Sequence, residues 1–147
     1  GIQAENSAPL VDKKTVTSPQ TIASAIRIGN PASSSLALEA ITQTKGEFLK
    51  VSDKQILEAQ SLLAKKEGIF CEPASAASLA GFLKYAESNK DYKGKKIVFI
   101  LTGNGLKDPE VAQKYLSSDI VKTTSKVEDI SNAIISGKSK SFFSKFF

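Results

Sequence analysis

The 147-residue sequence contains no histidine and a single cysteine, Cys71. The first absence removes Ser-His-Asp and Cys-His nucleophilic catalysis and any metal site built on imidazole. The second removes an internal disulfide, and together they leave a structural zinc site without ligands. A lone thiol beside Phe70 reads as a buried, inert group and fits a cytoplasmic setting. General acid–base work is left to carboxylates, lysine, tyrosine or a bound cofactor. Long apolar runs are also missing: no stretch reaches the roughly 20 residues that span a bilayer. The opening GIQAENSAPLV has neither the basic leader nor the apolar stretch of a signal peptide. A net charge of +5 is spread along the chain, with no arginine stripe interleaved with aromatics. Neither nucleic acid nor membrane is therefore an expected partner.

What is present is the composition of a soluble globular domain, 41% hydrophobic and 24% charged, long enough for one core. Strand and helix patterns alternate, which predicts an α/β class with a mostly parallel open sheet and flanking helices. Residues 1–5 read as the tail of a strand, and 7–20, polar and with two prolines, as a loop. TIASAIRIG (21–29) reads as a short helical segment stopped by Gly29-Asn30-Pro31. Residues 33–46 read as a Ser-capped helix ending at Gly46, and EFLKVS (47–52) as a short strand. The clearest amphipathic helix follows, capped by Ser52 or Asp53 and closed by Gly68, with Ile56, Leu57, Gln60, Leu63 and Ala64 on one face.

Pro73 opens another helix whose Ala74, Ser75, Ala77, Ser78 and Gly81 make a nearly bare face, suited to close packing on a sheet or to a cofactor or domain contact. KGKKIVFILTG (93–103) has the continuous apolar run of a central parallel strand. Asp108-Pro109 then starts a helix through Tyr115. A strand at 119–124 and a helix at 125–137, capped by Ser125 with Glu128 in capping-box spacing, precede a basic, Phe-rich tail. That tail suits docking on the body of the protein or on a neighbouring subunit in preference to a membrane-surface helix. Only about four strands are visible and the first is cut short, so the expectation is a piece of a longer chain with an exposed sheet edge that invites pairing.

The candidate site is TGNGLKD. It lacks the Gly-Lys-Ser/Thr of a Walker loop and the third glycine of a dinucleotide fingerprint. Its place at the carboxyl end of a strand is nevertheless where open α/β sheets bind ligands. Thr102 offers a hydroxyl, and Gly103 and Gly105 offer clearance. The same residues also suit a Gly-rich turn with no ligand. Arg27 suits either a bidentate anion contact or a packed stem with its head in water. Glu72 suits either a first-turn carboxylate favoured by the helix dipole or a loop buttress.

The stretches PQTIASAIRIGNP, ILEAQSLLAKKEGIFCEPASAASLAG and LTGNGLKDPE, in that order and with GIQAEN as the strand before them, resemble the C-terminal part of threonine synthases. These are fold-type II pyridoxal-phosphate enzymes that convert O-phospho-L-homoserine and water to L-threonine and phosphate. The resemblance covers residues 1 to about 110. It implies a Rossmann-like large domain, here incomplete. Residues 1–117 would be the C-terminal part of the cofactor-binding domain, 118–137 a terminal strand–helix extension and 138–147 the tail.

By that resemblance Thr102 faces the pyridine nitrogen of pyridoxal 5'-phosphate, Gly103 and Gly105 clear the ring edge, and the stretch holding Ala25 and Gly29 lies beside the cofactor. The resemblance also implies a homodimer. No Ser-Phe-Lys-Asp type lysine motif and no Gly-Asn-x-Gly-Asn phosphate loop occurs here. The expected partner is thus the missing N-terminal part of the same chain, and the chain alone is expected to be inactive. A fragment of a serine or threonine dehydratase, and a non-catalytic module derived from such an enzyme, remain open as alternatives.

Overall fold

The structure, a computed structural model, describes residues 1–89, 91–115 and 123–138. Contacts divide it into two compact units, Gly1–Leu116 and Ser117–Phe147. In the first, strands β1 (Ile2–Ala4) and β2 (Leu49–Val51) pair in parallel with Ile2 opposite Leu49 and Ala4 opposite Val51. Helix α3 (Asp53–Glu67) and helix α4 (Pro73–Ser88) pack on each other and α4 lies against both strands. The class is the expected α/β arrangement, rich in helix and with an incomplete sheet.

Local chemistry explains most boundaries. Ser52 caps α3 through a capping box: its hydroxyl takes the Gln55 N–H and the Gln55 side chain takes the Ser52 N–H. Gly68 ends the helix at φ 67°, the left-handed conformation that glycine adopts without a Cβ penalty. Pro73 supplies the first residue of α4, where its missing N–H has no helical partner to lose. Ile56, Ala59, Gln60 and Leu63 of α3 meet Ala76, Ala77, Leu79 and Ala80 of α4 in the core with Ala4, Val51 and Cys71. Each fully buried large side chain, such as Ile56 or Val51, contributes about 1.5–3 kcal/mol.

The small face of α4 is used against the sheet. A Cβ built on Gly81 would lie 2.1 Å from Ile2 Cδ1, so β1 settles closer to the helix than any side chain would allow.

Four expectations are corrected. The polar stretch 7–20 contains a one-turn helix, α1 (Pro9–Asp12). Its free N–H groups on Leu10 and Val11 are taken by the side-chain oxygen of Gln3, a residue of β1. A cap supplied by another element leaves no local signal. The segment at 21–29 shortens to a single 3-10 turn, Ser24–Ile26. Helix α2 (Ser34–Thr44) ends with Lys45, not Gly46, in the left-handed conformation, at φ 51°, and it buries none of its residues.

Residues 96–101 form no strand, and the sheet of the described residues has two strands only. Phe99 and Leu101 pack against the core, with Phe99 edge-on to Phe82 at 5.4 Å, while Val98 is 83% and Ile100 74% exposed. The segment thus alternates in and out as a strand does, but among the described residues it has no neighbour to bond. Between it and β1 runs a groove of about 460 Å3, lined by Ile2, Leu49, Ala77, Ser78, Gly81 and Val98 among others.

Helix α5 (Pro109–Tyr115) follows the candidate turn as expected. In the second unit the described element is helix α6 (Val127–Lys138). Thr124, rather than Ser125, makes the hydrogen bonds at its start, donating to Asp129 and accepting the Lys126 N–H. The strand expected at 119–124 lies largely outside the described residues, as does the Phe-rich tail beyond Lys138. Among the described residues no helix is long and apolar enough to cross a membrane.

Candidate functional site

The turn 102–108 is built by its neighbours. The backbone of residues 70–72 runs antiparallel to 103–105: the Glu72 N–H donates to the Gly103 carbonyl at 3.0 Å and the Gly105 N–H donates to the Phe70 carbonyl at 3.1 Å. Asn104 accepts the Leu106 N–H in its side chain and starts a 3-10 turn, Gly105–Lys107. The Ser24 hydroxyl donates to Asp108 at 3.0 Å, which joins the 21–29 loop to this turn. That loop is itself tied down by Asp53, whose carboxylate accepts the Thr21 hydroxyl at 2.5 Å and the Ile22 N–H at 3.1 Å. The Arg27 Nε–H donates to the Thr21 carbonyl at 3.0 Å, so this guanidinium stiffens the loop that carries it.

Thr102 sits at the end of the 96–101 segment with its side chain open to solvent. Behind it is Ser75 on the first turn of α4, 2% exposed. The Ser75 hydroxyl accepts the Gly103 N–H at 2.8 Å and lies 3.3 Å from the Thr102 hydroxyl. Glu72 is buried at 5% exposure, with its carboxylate lying against Gly103. Of the residues that pin this turn, Ser75 was legible only as part of a bare face, and Asp53 only as a cap candidate. Their contacts join positions 27 and 32 apart in sequence, with no pattern to reveal them.

The glycines have internal reasons for being glycine. A Cβ on Gly103 would meet the Glu72 carboxylate at 2.2 Å, and one on Gly105 would meet the Phe70 ring at 2.5 Å. Gly29 faces the Val16 backbone, whose carbonyl oxygen would lie 1.8 Å from a Cβ. Ala25 lies in the 3-10 turn of the loop that Ser24 ties to Asp108. Cys71 is buried, and burial pushes its thiol above the usual range, which disfavours the reactive thiolate. Among the described residues no cluster of His, Cys, Asp and Glu could hold a metal.

The site is thus a hydroxyl held at the carboxyl end of an apolar segment, beside a small parallel sheet with helices packed on it. The family model described as "Pyridoxal-phosphate dependent enzyme" matches residues 1–103, and the chain belongs to this family.

Within it, the chain is similar to proteins named threonine synthase, in keeping with the resemblance carried by the sequence. The chain is 51% identical over 134 residues to threonine synthase of Bacillus sp. (strain ULM1), a match covering 91% of this chain and 38% of the relative. It is 52% identical over 118 residues to that of Mycobacterium tuberculosis (strain ATCC 25618 / H37Rv), covering 80% and 33%. It is 48% identical over 120 residues to that of Methanocaldococcus jannaschii, covering 76% and 30%. The chain therefore spans about a third of the length of the curated relatives it matches. Among solved structures it is similar to a threonine deaminase from T.th., with a TM-score of 0.49 and 22% identity over 61% of this chain and 35% of that one.

A hydroxyl can donate to or accept from a ring nitrogen, so the chemistry of Thr102, one exposed hydroxyl backed by the buried one of Ser75, is compatible with the pyridine end of pyridoxal phosphate.

Proposed function

We propose that this chain is the C-terminal part of a threonine synthase, acting on O-phospho-L-homoserine and water to give L-threonine and phosphate. The observation that carries the reading is 51% identity over 134 residues to a protein of that name, in a chain whose exposed Thr102 hydroxyl is backed by Ser75. The groove between β1 and residues 98–100 supports the fragment reading. It separates two strand-like segments, and its floor is the small-residue face of α4. A further strand supplied from the rest of the protein would lie there, between β1 and residues 98–100.

When bound, the cofactor supplies the electron sink for the reaction. Thr102 would meet its ring nitrogen, and a neutral hydroxyl does not require that nitrogen to stay protonated. The 21–29 loop, with Ala25 and Gly29, would border the site through the Ser24–Asp108 hydrogen bond. The lysine that anchors the cofactor and the donors to its phosphate belong to the rest of the protein, so this chain alone is inactive. The complete protein is a cytoplasmic homodimer that binds no nucleic acid.

The test is to express the protein with the coding sequence upstream of Gly1 included, add pyridoxal phosphate, and measure threonine and phosphate released from O-phospho-L-homoserine. Equal release of both from the longer protein, and none from the 147-residue chain, is the expected result. Threonine formed by the short chain overturns the claim that it is inactive. Failure of the longer protein to act on this substrate overturns the assignment itself.

A further inference from the structure

We propose that Ser75 is a positioning residue for Thr102, fixing its rotamer and coupling the direction of its hydroxyl proton to that of Ser75. What the Thr102 hydroxyl is used for rests on the proposed function above; the coupling of the two hydroxyls does not.

The bonding around Ser75 leaves few choices. A serine hydroxyl has one proton and two lone pairs. One lone pair is taken by the Gly103 N–H at 2.8 Å. The proton has two acceptors within reach, the Gly103 carbonyl and the Thr102 hydroxyl, both at 3.3 Å. The Gly103 carbonyl already accepts the Glu72 N–H at 3.0 Å, so it is satisfied without Ser75. Among the described residues, Ser75 is the side chain that the Thr102 hydroxyl bonds.

Two arrangements follow. If Ser75 donates to Thr102, the Thr102 proton is free to point outward, and the site presents a donor to a neutral acceptor. If Thr102 donates to the second lone pair of Ser75, the site presents only lone pairs outward, which suits a protonated partner. In either case the Ser75 hydrogen bond selects one staggered well at Thr102. An exposed threonine would otherwise distribute among several.

The backbone makes this positioning stiff. Ser75 lies on the first turn of α4, 2% exposed among core residues, and its own carbonyl accepts the Ser78 hydroxyl at 2.8 Å. Gly103 is held on both sides, its N–H by Ser75 and its C=O by the Glu72 N–H. The Glu72 carboxylate occupies the space that a side chain at Gly103 would take. Thr102 is therefore presented by a turn clamped to a buried helix start, and Ser75 is the side chain that touches both the clamp and the hydroxyl.

The first experiment uses the 147-residue chain without cofactor. Three-bond couplings across χ1 of Thr102 and amide exchange at Gly103 are measured by NMR in the wild type, Ser75→Ala, Ser75→Thr and Thr102→Val. The expected result is a single Thr102 rotamer in the wild type. In Ser75→Ala the couplings average and Gly103 exchange speeds by about five- to tenfold, as loss of one hydrogen bond implies. Ser75→Thr, which keeps the hydroxyl, restores the single rotamer, and Thr102→Val leaves Gly103 exchange unchanged. Averaged couplings in the wild type itself overturn the proposal even if Ser75→Ala fails to fold, and so does an unaltered rotamer in a folded Ser75→Ala.

The second experiment uses the longer protein loaded with pyridoxal phosphate. The pH at which the bound cofactor's absorption changes is expected to shift in Ser75→Ala and in Thr102→Val, with no further shift in the double variant. Additive shifts overturn the coupling. If the longer protein takes up no pyridoxal phosphate, the functional reading fails, and the rotamer measurement still decides whether Ser75 positions Thr102.

Discussion

Ile2 of β1 rests directly on Gly81 of α4, its Cδ1 2.1 Å from where a Cβ would be. This contact sets how near the sheet approaches the helix. Gly81→Ala raises helix propensity by up to about 1 kcal/mol, yet the overpacking it forces costs about 1–3 kcal/mol. The expected outcome is a net loss of stability, read as a lower urea midpoint with an unchanged slope. Ile2→Val shortens the side chain at its offending end. The double variant is therefore expected to lose less than the sum of the two single losses, and an additive result would show that the contact does not carry the effect.

Gly29 and Gly68 separate two reasons for a glycine. At Gly68, φ is 67° and nothing lies within 4 Å of the position a Cβ would take, so Gly68→Ala carries only the left-handed penalty of about 1–2 kcal/mol. At Gly29 the obstacle is the Val16 carbonyl, 1.8 Å away, and a backbone atom cannot rotate aside. Gly29→Ala is expected to cost more than Gly68→Ala and to break the Val16 N–H to Gly29 carbonyl bond, 3.0 Å in the native fold. Denaturant melts of the two variants rank the costs, and equal losses would refute the difference.

Val98 is 83% exposed beside the open groove. In the 147-residue chain Val98→Thr is expected to change stability by less than about 0.5 kcal/mol, as for an ordinary surface substitution. In the longer protein, if a strand covers this segment, the same change is expected to cost more than about 1 kcal/mol, because an apolar side chain is then buried. Equal small effects in both would show that the groove stays open.

Lys50 of β2 holds Asp12 at the end of α1, with Nζ 2.8 Å from the carboxylate. The hydrogen bond to Asp12 is the main cause raising the Lys50 pKa above its ordinary value. The folded state thus binds this proton more tightly than the unfolded chain does. The stabilisation is fully present below the ordinary lysine range and is lost as pH rises through the raised value. Wild type and Lys50→Gln, compared from neutral to strongly alkaline pH, are expected to differ at neutrality and converge at the alkaline end. Divergence with rising pH would reverse the sign and refute the linkage.

Local chemistry was legible from residue order alone. The cap at Ser52, the Pro73 helix start, the Gly68 stop and the Asp108-Pro109 entry into α5 depend on neighbours within one turn, and these boundaries appear where they were expected. The family resemblance was legible too, because it is carried by runs such as IFCEPASAASLAG and LTGNGLKDPE. Thr102 was found this way, as the hydroxyl of a motif.

Tertiary structure decided what joins distant positions. Gln3 caps α1 across elements, Asp53 anchors the 21–29 loop, and Ser75 backs Thr102, each through a contact that no spacing encodes. The apolar run at 96–101 shows the boundary most clearly. Its residues have the preference and the alternation of a strand, but a strand exists only when a neighbour takes its N–H and C=O groups, and among the described residues no neighbour does. Sequence by itself determined which segments are able to form helix or sheet and which hydroxyl stands at the turn. Three-dimensional packing decided which of them are paired, because hydrogen bonds between distant residues depend on where the chain brings them together.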